Sequence, residues 1–164
     1  MLFKRGSGPK SLHNQASVIQ CTLRAIGASE RSSQLSPFTS KYDYYLKGEA
    51  TLTAQELHGL ELFNDTAKAK CANCHPSAPD EIAGVPLFTD FSYDNIGLPH
   101  NPNAITSQPD LGLGGVLGNP GMYGQFKVPS LRNLAISAPY FHNGYFNTIE
   151  DAIRFYSERN LPGK

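Results

Sequence analysis

No apolar run in this sequence approaches the roughly eighteen residues that a bilayer crossing requires, so a helical membrane span is excluded. Charge of one sign is missing too. Fourteen Lys and Arg balance fourteen Asp and Glu, and no face-forming basic run occurs, so neither nucleic acid nor an anionic membrane is an expected partner. The opening residues, Met1 to Gly6, are not followed by a hydrophobic stretch, and no signal peptide is visible. Cysteine is scarce. The three present are Cys21, Cys71 and Cys74, with no second C-x-x-C and no H-x-x-x-H pair, which leaves a four-ligand structural zinc site short of donors. Cys21 reads as a lone thiol, whose commonest fate is that of a small buried hydrophobe.

What is present is the pentad Cys71-Ala72-Asn73-Cys74-His75. C-x-x-C-H is the attachment signature of c-type haem: two thiols on one helical turn each add to a vinyl group of the same porphyrin, and the next imidazole reaches the iron. The competing reading, a thioredoxin-like redox pair, calls for a strand before the motif in a βαβ pattern, and that context is absent. Cys71 and Cys74 are therefore expected to bind one haem c, with His75 as the proximal iron ligand.

The 164 residues suffice for one domain with a substantial core. The spacing of Ile19, Leu23 and Ile26 predicts a helix from Gln15 to about Ala28. A Ser-rich stretch with Pro37 follows, placing an arm over 1–35 ahead of a domain over 36–164. Thr53 and Glu56 form a capping-box pattern before Leu57, Leu60 and Phe63, which predicts a helix over 54–64. Gly59 inside it implies a packing reason, such as another helix passing close. Between Pro76 and Pro129 fall eight of the twelve prolines and eight of the fifteen glycines, so no long helix fits there. Within that loop, 86–93 alternates like a short strand or extended wall. The glycines from Gly112 to Gly118 miss G-x-G-x-x-G, because Leu117 stands where glycine is required. Leu131, Leu134 and Ile136 are expected to face inward from an extended or gently helical stretch over 126–145. Thr148 and Asp151 cap a last helix with the stripe Ile149, Ala152, Ile153 and Tyr156, which stops near Asn160 with Pro162 and Gly163 beyond.

Five blocks in order carry a family resemblance: Phe38 to Leu46, the helix into the pentad, Leu87 to Asn95, Phe126 to Asn133, and Ala138 to Gly144. They are similar to the C-terminal haem domain of bacterial dihaem cytochrome c peroxidases and MauG-like proteins, across about residues 30 to 160. The resemblance implies a mainly α, cytochrome c-like haem domain with long Pro/Gly-rich loops and little β. Family members carry a preceding domain with its own C-x-x-C-H, where peroxide reacts, and this sequence has a single pentad. Residues 1–35 resemble at most the closing helix of that first domain. Thioether attachment is expected outside the inner membrane, so the family location is periplasmic and the chain is expected to be a piece of a longer exported protein.

Three residues are candidates for the second axial position on iron. Met122 lies in a loop of the kind that delivers a thioether. His142 matches a histidine that, in the family, sits around the haem rather than on the metal. Tyr156 falls where the resemblance places the distal ligand, Met in ordinary peroxidases and Tyr in the MauG-like branch. The resemblance also implies that main-chain carbonyls at Ser137 and Pro139 help hold calcium, and Arg132 is a candidate for a haem propionate. No catalytic residue is assigned. The expected role is single-electron transfer, like the electron-storing half of a peroxidase that reduces hydrogen peroxide, with a small redox protein as donor or acceptor. The alternatives are a self-sufficient mono-haem peroxidase and a non-functional truncated remnant.

Overall fold

Capping chemistry decides where the helices begin. The structure, a computed structural model, describes residues 8, 14–104 and 108–160; Met1 to Gly6, and the helix stop expected at Pro162 and Gly163, lie outside the described residues. The chain divides into two units, Met1–Leu52 and Thr53–Lys164. The boundary read from composition, near residue 35, falls inside the first.

In the first unit, helix α1 (Gln15–Glu30) starts where Asn14 Oδ1 accepts from the amide of Ala16 at 2.8 Å. It runs two residues past the expected end. Ile19, Leu23 and Ile26 remain 51, 58 and 50% exposed, and Cys21 is half-buried and unpaired. Helix α2 (Lys41–Leu46) has a reciprocal cap: the Ser40 amide donates to Asp43 Oδ2 at 2.9 Å, and the Asp43 amide donates to Ser40 Oγ at 3.2 Å.

In the second unit, helix α3 (Ala54–Asn64) has the expected bounds, with the Thr53 amide donating to Glu56 Oε2 at 2.7 Å and the Glu56 amide to Thr53 Oγ1 at 3.2 Å. The packing reason expected at Gly59 is not there: a Cβ at that position meets nothing within 4 Å. A 3₁₀ turn (Cys71–Asn73) follows. The wall expected over 86–93 is irregular, because Phe88 (φ 53°) and Phe91 (φ 60°) turn left-handed; only at Tyr93 does a strand begin. Strand β1 (Tyr93–Asp94) pairs antiparallel with β2 (Phe126–Lys127), in the register Tyr93 to Lys127 and Asp94 to Phe126.

Among its described residues the Pro/Gly-rich stretch holds one short α-helix, α4 (Gly112–Leu117), folded onto a 3₁₀ turn (Pro120–Met122). Gly114 permits that fold, since its Cβ would lie 2.5 Å from the Met122 carbonyl carbon and 2.6 Å from the Tyr123 nitrogen. A further 3₁₀ turn (Leu134–Ile136) leaves Leu131 and Leu134 half-buried, but Ile136 points outward at 86% exposure, contrary to expectation. Three-residue repetition puts successive side chains on different sides of so short a turn. Helix α5 (Ile149–Glu158) opens on Thr148, whose Oγ1 accepts from the Asp151 amide at 3.1 Å. Five helices and two short strands make the described chain mostly helical with little sheet. No helix among the described residues is long and apolar enough to cross a membrane.

Among the described residues of the second unit, Pro86, Thr89, Gly114, Val128 and Tyr140 are buried, and the Tyr140 hydroxyl donates to the Leu134 carbonyl at 2.8 Å. Thr89 ties the segment before β1 to Val128, donating from Oγ1 to the Val128 carbonyl at 2.6 Å and accepting from the Phe91 amide at 3.1 Å. Large apolar groups elsewhere in the unit stay half-open, with Leu57 at 38%, Phe91 at 50% and Tyr156 at 48% exposure.

Candidate functional site

The pentad folds as a tight turn. Lys70 enters it in the left-handed region (φ 57°), and the amides of Cys74 and His75 both donate to the Cys71 carbonyl, at 3.3 and 2.9 Å. Burial pushes the Cys71 thiol up, only partly offset by its own amide. Burial raises the Cys74 thiol as well, joined by the hydrogen bond and charge of Asp94 and the charge of Asp90. Both sulfurs therefore stay protonated at neutral pH. A redox pair needs a stabilised thiolate, so this environment argues against thiol–disulfide chemistry.

His75 is oriented by the wall. Its Nδ1 lies 2.8 Å from the Phe88 carbonyl, which can only accept, so Nδ1 carries the proton and Nε2 keeps the lone pair. That is the second-shell arrangement by which proteins fix a metal-binding imidazole. The Phe88 carbonyl points at His75 because its residue is left-handed. It is held by a ring contact to Phe63 at 6.1 Å, by the Arg132 guanidinium 5.6 Å over its face, and by the Thr89 clamp one residue on. Burial tends to raise the Asp90 carboxyl, but the Ser92 hydroxyl and amide, its own amide and the nearby His75 hold it below the usual range. The Asp90 amide donates to the Cys74 carbonyl at 3.0 Å, tying wall to pentad.

Strand β1 supplies the next contact. Cys74 Sγ donates to Asp94 Oδ2 at 3.5 Å. Across the site, the Tyr156 phenol feels Cys74, Cys71 and Asp94, which raise its pKa in addition to the larger effect of burial, while Arg159 lowers it. The Tyr156 ring packs 5.8 Å from Phe141 and 5.7 Å from Phe155.

The remaining candidates lie elsewhere in the unit. Met122 is half-buried at the end of its turn against α4. His142 stacks flat on Phe126 at 3.5 Å and 8°; burial lowers its pKa, with Asp110 opposing. Arg132 donates from Nε to the Pro86 carbonyl at 2.8 Å, which sets its guanidinium beside the wall that orients His75. Ser137 and Pro139 are exposed, and Ser137 Oγ donates to the Leu134 carbonyl at 3.2 Å. No group of three or more His, Cys, Asp or Glu that could hold a metal ion occurs among the described residues.

Sequence reasoning missed Phe88, Thr89, Asp94 and Arg159. Phe88 acts through a main-chain carbonyl, which has no residue signature. Asp94 comes to Cys74 through strand pairing to a segment more than thirty residues away.

The donor set fits a covalent haem: two neutral thiols on one turn, and an imidazole with Nδ1 engaged and Nε2 available. Those features are what attachment of a c-type haem requires. No family model matches the chain. It is 36% identical over 167 residues to the methylamine utilization protein MauG of Paracoccus denitrificans, a match covering 95% of this chain and 42% of that protein. It is 36% identical over 118 residues to the cytochrome c peroxidase Ccp of Escherichia coli, covering 70% and 23% respectively. The crystal structure of the diheme peroxidase BthA from Burkholderia thailandensis superposes with a TM-score of 0.72 at 33% identity, over 94% of this chain and 40% of that one. The chain belongs to the MauG-like and dihaem cytochrome c peroxidase family, an oxidoreductase family for which c-type haem is the implied cofactor. It spans about two fifths of the length of the relatives first matched.

Proposed function

We propose that this chain carries one haem c on thioethers from Cys71 and Cys74, with His75 as proximal iron ligand, and that it accepts and passes single electrons within a cytochrome c-like haem domain. The observation that carries the reading is the Nδ1–H of His75 on the Phe88 carbonyl, which fixes the proton on Nδ1, leaves the Nε2 lone pair free for iron and orients the ring. Bound haem supplies a one-electron ferric/ferrous couple. The protein's share is to orient the imidazole and keep both sulfurs neutral until they are used.

Tyr156 is the proposed distal ligand from the resemblance, supported by the bond from Arg159, on the same helix, to the Ile96 carbonyl two residues after Asp94, the carboxylate beside Cys74. Arg132, fixed beside the His75 wall, is the proposed propionate partner, and His142 stays a neighbour of the haem rather than a ligand. Calcium at the carbonyls of Ser137 and Pro139 is proposed from the resemblance, and would draw its remaining oxygens from outside this pair. In a whole protein of this family, hydrogen peroxide is the proposed substrate, a small redox protein the electron partner and the periplasm the location.

Spectroelectrochemistry of the haem-loaded chain tests the electron-transfer reading. A single reversible one-electron wave, a low-spin ferric spectrum and slow reaction with peroxide are expected. A high-spin ferric spectrum with rapid peroxide turnover would favour a self-sufficient peroxidase instead.

A further inference from the structure

A chain of contacts links one proposed attachment cysteine to the proposed distal phenol, and its last link before the phenol, Arg159, has no assigned role. Cys74 Sγ meets Asp94 Oδ2 at 3.5 Å on β1. Two residues on, the Ile96 carbonyl accepts from Arg159 Nη1 at 3.0 Å. The Arg159 guanidinium carbon lies 5.4 Å over the ring of Tyr156, one helical turn earlier. Arg159, Ile96, Asn95, Gly97 and Asn160 together line a cavity of about 350 Å³.

We propose that Arg159 is a positioning residue for Tyr156: its guanidinium clamps the end of α5 to the loop behind β1 and holds the phenol at the haem site. The inference rests on Tyr156 being the distal ligand. Arginine suits the task because one planar group can stack on an aromatic face and donate in its own plane at the same time. Lysine keeps the charge but not the fork. The far end of the clamp is itself held, because β1 is paired through Asp94 to Phe126 and Asn95 Nδ2 donates to the Tyr123 carbonyl at 3.1 Å. A phenol at the end of a helix, without such a tie, would share the fraying of the last turn.

Two physical effects of Arg159 predict opposite shifts. A positive charge near iron favours the ferrous state, so losing the charge alone lowers the reduction potential. Losing the clamp frees the phenol, an anionic ligand that favours the ferric state, and so raises the potential. The sign separates them.

The test compares haem-loaded wild-type, Arg159→Gln, Arg159→Lys and Tyr156→Phe proteins at equal covalent haem content, reading ferric spin state and reduction potential. Arg159→Gln is expected to move both in the same direction as Tyr156→Phe, with the potential rising, and Arg159→Lys to fall between it and wild type. A Gln protein with the wild-type spectrum, or with a lowered potential, overturns the clamp while leaving Tyr156 as ligand. A Tyr156→Phe protein indistinguishable from wild type overturns the ligand reading and the clamp with it.

Discussion

His75 Nδ1 stands 2.8 Å from the carbonyl of Phe88, a residue thirteen positions away that reaches it by turning left-handed. Thr89, a residue 8% exposed, locks that turn through the bonds of its hydroxyl to Val128 and Phe91. Thr89→Val strands the buried Val128 carbonyl and the part-buried Phe91 amide, and a loss of about 1–3 kcal/mol is expected by urea unfolding. An unchanged midpoint would mean that the wall is held by other contacts.

Two glycines give opposite expectations. Gly59 lies mid-helix with open space where a Cβ would stand, so Gly59→Ala should stabilise by about 0.5–1 kcal/mol. Gly114→Ala drives a methyl into the backbone of Met122 and Tyr123 and should cost about 1–3 kcal/mol. Thermal unfolding of the pair checks both. A destabilised Gly59→Ala would restore the tight helix crossing that the sequence led us to expect.

Tyr156→Phe removes only a hydroxyl from an aromatic cluster, so the fold should survive while the ferric spin state of the haem-loaded chain changes. Met122→Leu should leave that spectrum alone. The reverse outcome would make Met122 the ligand.

The pH prediction concerns His142. Burial against Phe126 lowers its pKa below the ordinary imidazole value, so the unfolded chain binds a proton more readily than the folded one. Its effect on stability is absent at pH above about 6.5 and grows as pH falls toward the lowered folded value, destabilising the protein there. His142→Gln should flatten that part of a stability profile measured between pH 5 and 8 by urea unfolding. A profile with the same slope in the variant would remove His142 as its source.

Local chemistry was legible in the sequence, and distant chemistry was not. Thr53 with Glu56 and Thr148 with Asp151 fixed both helix starts because a cap is a matter of neighbours three residues apart. The pentad was legible for the same reason. Ile136 faces outward because a single turn of 3₁₀ helix puts its successive side chains on different sides, and composition does not reveal that turn. The 86–93 stretch alternates like a strand, yet Phe88 and Phe91 take conformations that a phenylalanine rarely adopts, forced by bonds to Val128 some forty residues on. The partners of His75 and Tyr156 depend on such long-range pairings.

The most direct measurement is the pyridine haemochrome spectrum and intact mass of the chain purified from cells that mature c-type cytochromes. One covalently attached haem per chain is expected, retained through acid-acetone extraction and lost from a Cys71→Ala, Cys74→Ala double variant. A wild-type chain that folds but carries no covalent haem would contradict the assignment of Cys71, Cys74 and His75, and the electron-transfer role with it.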